Sequence, residues 1–152
     1  MKRGTFKKPT LEEVKAKRAT KSHTIPKVKS KTKKAQKTQA WLKKELDRVF
    51  SIYIRKIHPP VCYTCGKKDT PLQCGHFVPR QYLVTRWHEN NCRPQCVGCN
   101  IYGKGKILDF EEHLKVDLGQ EYVEAMKATR HQSLKLDRHW YEEKIAHYKA
   151  LI

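Results

Sequence analysis

Cys62-Tyr63-Thr64-Cys65 and Cys96-Val97-Gly98-Cys99 stand about 30 residues apart in a chain of 152. Each CxxC turn presents two thiolates from one short loop, and two such turns complete a tetrahedral four-sulfur zinc site. Gly66 after the first pair and Gly98 inside the second supply the permissive backbone that such knuckles use. Redox thiols and disulfides are the alternatives. Met1-Lys2-Arg3-Gly4-Thr5 is not followed by an apolar stretch, which argues against a secretory leader and for a cytoplasmic chain with reduced thiols. No apolar run nears the roughly 20 residues that span a bilayer, so a membrane protein is excluded. The remaining cysteines, Cys74 and Cys92, read as small buried thiols.

Charge narrows the partner. The chain carries 33 Lys and Arg against 15 Asp and Glu, a net +18, which points to a polyanion and first of all to nucleic acid. The excess is concentrated: Met1–Thr38 holds fourteen Lys or Arg against two Glu, hence +12 of the +18. With almost no large apolar residues, residues 1–37 read as a disordered basic arm, either phosphate-binding or an inert solubilising tail. Thr10 and Glu13 form a capping-box pattern for a short helix over Thr10–Ala19.

From residue 38 to 152 the pattern is that of a folded α+β domain. Leu42, Leu46, Val49, Phe50, Tyr53 and Ile57 recur at helical spacing, and His58-Pro59-Pro60 ends the run. Leu72–Val78 and Tyr82–Arg86 read as two strands. A helical turn carries Asn100 to Lys104 and breaks at Gly105. Leu108–Val116 reads as a helix closed by Gly119, Gln120–Thr129 as another, and Asp137 caps a last helix bearing Tyr141, Ile145, Tyr148 and Ile152.

Three side chains sit in register with the knuckles: His76 between them, Asn91 just before the second, and Asn100 directly after it. Phosphodiester hydrolysis needs a water deprotonated in line with the scissile bond and stabilisation of charge on the departing oxygen. His76 can accept the proton at neutral pH. Asn100 offers a hard carbonyl oxygen for Mg²⁺ or Mn²⁺. A zinc closed by four sulfurs has no open position and is structural. Asn91 either orients His76 or ties down the loop. Arg80, Arg86, Arg93, Lys104 and Lys106 supply cations for phosphates. Tyr82 and Trp87 could stack on unpaired bases, although a core role suits them better. His88 and His113 read as surface residues.

Cys62-Tyr-Thr-Cys-Gly66, Cys74-Gly-His-Phe77, Arg86-Trp-His-Glu-Asn-Asn91, Gln95-Cys-Val-Gly-Cys-Asn100 and Leu118-Gly-Gln-Glu-Tyr-Val123 together resemble the NinG (Rap) recombination endonucleases of lambdoid phages. Within the wider His-Asn-His, or ββα-metal, nuclease group, the resemblance extends over about residues 38–150. It implies a zinc-stapled ββα-metal core and cleavage of branched DNA such as D-loops and Holliday junctions. The implied setting is the cytoplasm of a phage-infected host. Many members of the wider group place an acidic metal ligand before the histidine. Here that position is Gly75, leaving Gln73, Cys74, Glu89 or substrate oxygens to complete the site. A homodimer would suit a two-fold junction, with the helices after Gly105 as candidate contacts. A non-catalytic zinc-knuckle nucleic-acid-binding protein and a nicking or homing endonuclease of the same fold are the competing readings.

Overall fold

The computed structural model describes Glu12 and residues 36–152. The basic arm over 1–37 and the helix over Thr10–Ala19 therefore lie outside the described residues, apart from Glu12, Gln36 and Lys37. No helix among the described residues is long and apolar enough to cross a membrane.

Helix α1 spans Gln39–Ile57. Thr38 caps it, its hydroxyl accepting from Trp41 N–H at 3.2 Å, and Arg55 and Lys56 meet the negative end of the helix dipole. Leu42, Leu46, Val49, Phe50 and Ile54 lie buried along one face, which is the amphipathic stripe read from the spacing. The last helix, α5, spans Arg138–Leu151 and is capped by Asp137, whose carboxylate accepts from Trp140 N–H at 2.8 Å. The two helices pack together through Phe50, Tyr53 and Tyr148, with the Phe50 and Tyr148 rings edge-on at 5.0 Å. Trp87 belongs to this core, 5.6 Å from Trp140 and from Tyr141, so its role is packing.

The sheet has two antiparallel strands, β1 Leu72–His76 and β2 Cys92–Cys96, in the register Leu72↔Cys96 to His76↔Cys92. This corrects the expected second strand: over Tyr82–Arg86 the chain instead forms a short helix, α2 Leu83–Arg86. Pro94 removes an N–H from β2, yet in a two-stranded sheet every strand is an edge, so the missing donor faces no third strand. Its carbonyl still accepts from Tyr63 N–H at 2.8 Å, tying the first knuckle to the sheet.

After β2 a π-type turn, Gly98–Tyr102, leads to α3 Ile107–Leu118 and α4 Gln120–Ala128. Gly119, at φ 87°, makes the break between them. Phe110, Leu114, Val123 and Met126 close over Phe77 and Val78 as a second core. Tyr82 packs against this core. The two large cores thus flank a small sheet that carries all six cysteines on it or on the knuckles beside it.

Candidate metal centre and cleft

One end of the sheet gathers the four knuckle cysteines. The Sγ atoms of Cys62, Cys65, Cys96 and Cys99 lie within 4.8 Å of one another, with Cys65 and Cys96 at 3.9 Å. Tetrahedral zinc at about 2.3 Å from each sulfur sets them about 3.8 Å apart, so the donor set fits that ion. Gly66 uses left-handed backbone at φ 68°, whereas Gly98, against expectation, does not. Burial pushes the Cys62 thiol up, but backbone N–H groups and the Thr64 hydroxyl outweigh it and bring it down to about 6. At Cys99 the Thr64 hydroxyl pulls down, while burial and the three neighbouring cysteines prevail and push it up to about 12. Four crowded sulfurs cannot all ionise without a cation between them.

Gln95 connects this cluster to the rest of the sheet. Its side chain is fully buried, and Nε2 donates to Thr64 Oγ1 at 3.1 Å and to the Gly105 carbonyl at 2.8 Å. It thereby joins the first knuckle to the turn that follows the second. Its Oε1, without a partner among the described residues, lies where a side chain at position 75 would go. A side chain at position 75, acidic or otherwise, has no room in this chain.

The other end of the sheet opens to solvent. Alternation along β1 and direct pairing across to β2 put Cys74, His76 and Cys92 on one face. Their ligand atoms lie within 4.8 Å of one another. The sequence reading missed this grouping, although the Cys74-x-His76 spacing carried half of it. A cleft of about 610 Å³ lies between this end of the strand and α1, lined by Trp41, Lys44, Asp47, Arg48, Cys74, His76 and Arg80. Nothing local in α1 announces that it walls a cleft.

The His76 ring is anchored: Nε2 sits 3.1 Å from the Arg86 carbonyl. A carbonyl only accepts, so Nε2 carries the proton and Nδ1 keeps the lone pair. Burial, and after it the Arg86 cation, lower its pKa below the ordinary imidazole value, while the bond to the Arg86 carbonyl opposes them. The Cys92 thiol is held well above its usual range by burial and then by Cys74 beside it.

Asn91 is fully buried. Its Oδ1 accepts from Val78 N–H at 2.7 Å, and Nδ2 donates to the Val78 and Thr85 carbonyls. It is a positioning residue that fastens the loop after β1, and its amide is spent on that loop rather than on His76. Asn100 sits in the π-type turn, where its Nδ2 donates to Gln73 Oε1 at 2.7 Å. Gln73 points from the sheet face opposite to His76, so the structure gathers Asn100 with Gln73 and sets His76 on the other side of the strand.

The five candidate phosphate-binding cations divide. Arg80, Lys104 and Lys106 are exposed. Lys104 and Lys106 hold left-handed backbone at φ 52° and 49°, a strained conformation for residues with a Cβ. Arg86 and Arg93 must be corrected. The buried Arg86 guanidinium is engaged by Asp47, at 2.9 Å from Nε, and donates to the Arg80 carbonyl. Arg93 donates to the Glu89 and Cys92 carbonyls and lies 3.8 Å from Asp117. Both cations are committed inside the protein. Trp41, Lys44 and Arg48 on the cleft wall were not anticipated. His88 and His113 are exposed, as expected.

Fold and site together define a mixed α+β protein in which a four-cysteine cluster able to hold zinc staples a two-stranded sheet beneath a histidine-lined cleft. The family described as bacteriophage lambda NinG protein matches residues 1–152, and the chain belongs to that family. That membership points to a role connected with phage recombination. The chain matches no curated protein and no solved structure.

Proposed function

We propose that the protein is a metal-dependent endonuclease that cuts branched DNA intermediates of phage recombination, D-loops and Holliday junctions, on a zinc-stapled ββα core. The observation that carries this reading is His76. It is a neutral imidazole with one nitrogen pinned to a carbonyl and the other left basic, at the wall of the cleft between β1 and α1. Such a group takes a proton from water as the oxygen attacks phosphorus. Asn91 keeps the loop between the strands in place, so the Arg86 carbonyl that orients the ring stays fixed. Asn100, with its carbonyl oxygen free of protein partners among the described residues, and Gln73 beside it offer hard oxygen donors for Mg²⁺ or Mn²⁺ on the sheet face opposite His76. When bound there, that cation would offset DNA charge on that face and leave the phosphate beside His76 to the cations of the cleft. Lys44 and Arg80 face the DNA backbone at the cleft, and the partly exposed Trp41 offers a stacking surface for an unpaired base at the branch. Two copies would match the symmetry of a four-way junction.

The test is cleavage of a four-way junction against linear duplex with Mg²⁺ or Mn²⁺. Wild type cuts the junction, and His76→Ala loses roughly 10²-fold or more in rate while keeping fold, zinc content and DNA affinity. Asn100→Ala also loses rate, and extra Mn²⁺ restores part of it. Wild-type rates from His76→Ala would remove His76 as the base. Binding without cleavage in any divalent metal would leave a zinc-knuckle DNA-binding protein.

A further inference from the structure

We infer that Cys74, His76 and Cys92 form a second, separate binding site for a soft divalent ion such as zinc, and that an ion seated there silences the cleft. The three donors converge from a rigid platform. Cys74 and His76 share a face of β1, His76 and Cys92 are direct partners across the sheet, and all three ligand atoms lie within 4.8 Å of one another. Cys74 stands two positions along β1 from Leu72, the partner of the knuckle cysteine Cys96, so the two donor sets are diagonal neighbours about 7–8 Å apart at their nearest Cα atoms, and each gathers its own ligand atoms within 4.8 Å.

Two thiols and one imidazole are zinc ligands, and three protein ligands leave the fourth tetrahedral position empty. Here that position faces the cleft, because Cys74 and His76 line it while Cys92 is sealed behind them. The cleft is also the route of entry. The Arg86 carbonyl accepts from His76 Nε2 at 3.1 Å and meets the Cys92 thiol at 4.0 Å, the kind of outer contact that orients metal-bound histidines and leaves Nδ1 as the ligand atom. Binding displaces the two thiol protons to solvent and takes up the imidazole lone pair. That lone pair is the one the proposed hydrolysis uses, so occupation and cleavage exclude each other. The inhibitory half of this inference rests on the proposed endonuclease. The site itself does not.

The experiment separates them by reading metal before activity. Full-length protein is equilibrated with buffered Zn²⁺, and separately with Co²⁺, then counted for bound metal and scanned for thiolate-to-cobalt charge transfer. Wild type is expected to hold two ions per chain. Cys74→Ala and Cys92→Ala are each expected to hold one, with the charge-transfer band reduced and the four-cysteine site intact. One ion per wild-type chain overturns the site whether or not either variant folds. In the junction assay, Zn²⁺ beyond the first equivalent should suppress wild-type cleavage at least tenfold and leave Cys92→Ala active. Two bound ions with undiminished cleavage would overturn the inhibitory role. A wild type that never cuts DNA but binds two ions would retain the site and reject only the endonuclease.

Discussion

At Gly75 the strand has no room for a side chain, and the reason lies across the sheet in Gln95. A Cβ at residue 75 would overlap the Gln95 carboxamide, whose bonds to Thr64 and Gly105 fix the two knuckles. Gly75→Ala should therefore destabilise the domain by about 1–3 kcal/mol, the usual cost of overpacking, as read from a lowered denaturant midpoint. An unchanged midpoint would show that Gln95 can step aside. His76 sets the behaviour toward acid. Its pKa is lowered in the fold, chiefly by burial, so it stays neutral at pH values where a free imidazole is already charged. The acid limb of junction cleavage should accordingly have its midpoint below 6.5, and a profile that falls at or above that value would contradict the proposed base. The same shift means that the unfolded chain binds this proton more readily. Its contribution to stability is thus full above the unfolded pKa and is lost as pH falls through the folded one.

At the scale of elements, legibility followed locality. Helix α1 was readable because its apolar positions recur every three or four residues and Pro59-Pro60 stop it, and α5 because Asp137 caps it. Strand β2 was not, because Cys92-Arg-Pro-Gln-Cys96 shows neither alternation nor a proline-free run. Its pairing comes from the knuckle that follows it. The metal cysteines were legible from spacing alone, whereas the commitment of Arg86 to Asp47, 39 residues away, was not. The same holds for Arg93 beside Asp117. Among the described residues only Leu72 adds apolar packing to the knuckle cysteines, so these turns rest on the hydrogen bonds of Gln95 and the Pro94 carbonyl and on the ion that the four sulfurs could hold. Structural zinc contributes on the order of 10 kcal/mol, comparable with the whole stability of a domain this size. Cys96→Ser should abolish bound zinc and cooperative thermal unfolding together. A folded, zinc-free Cys96→Ser protein would show that the two flanking cores suffice.

For the whole molecule the question is how charge is shared between body and arm. With Arg86 and Arg93 committed internally, fewer cations of the body remain for phosphate, and the +12 of residues 1–38 weighs more heavily in the proposed DNA binding. Each phosphate contact contributes roughly 0.9 to the salt slope of log K on duplex DNA. Deleting residues 1–37 should reduce that slope by several units while leaving the cleavage step at saturating DNA unchanged. Equal slopes for the two proteins would make the arm a passive tail.

The pairing of α1 with α5 also sets an order of events during synthesis. Leu42, Leu46, Val49 and Phe50 share their core with Trp87 and Cys92, and its cover is complete only when Tyr141, Ile145 and Tyr148 exist, close to a hundred residues later. At about 5–20 residues per second the ribosome leaves that apolar stripe waiting roughly 5–20 s. The knuckles can close in the interval, since Cys99 leaves the ribosome ahead of α5. Metal capture would come first and helix docking last, with the growing chain most exposed to aggregation between them.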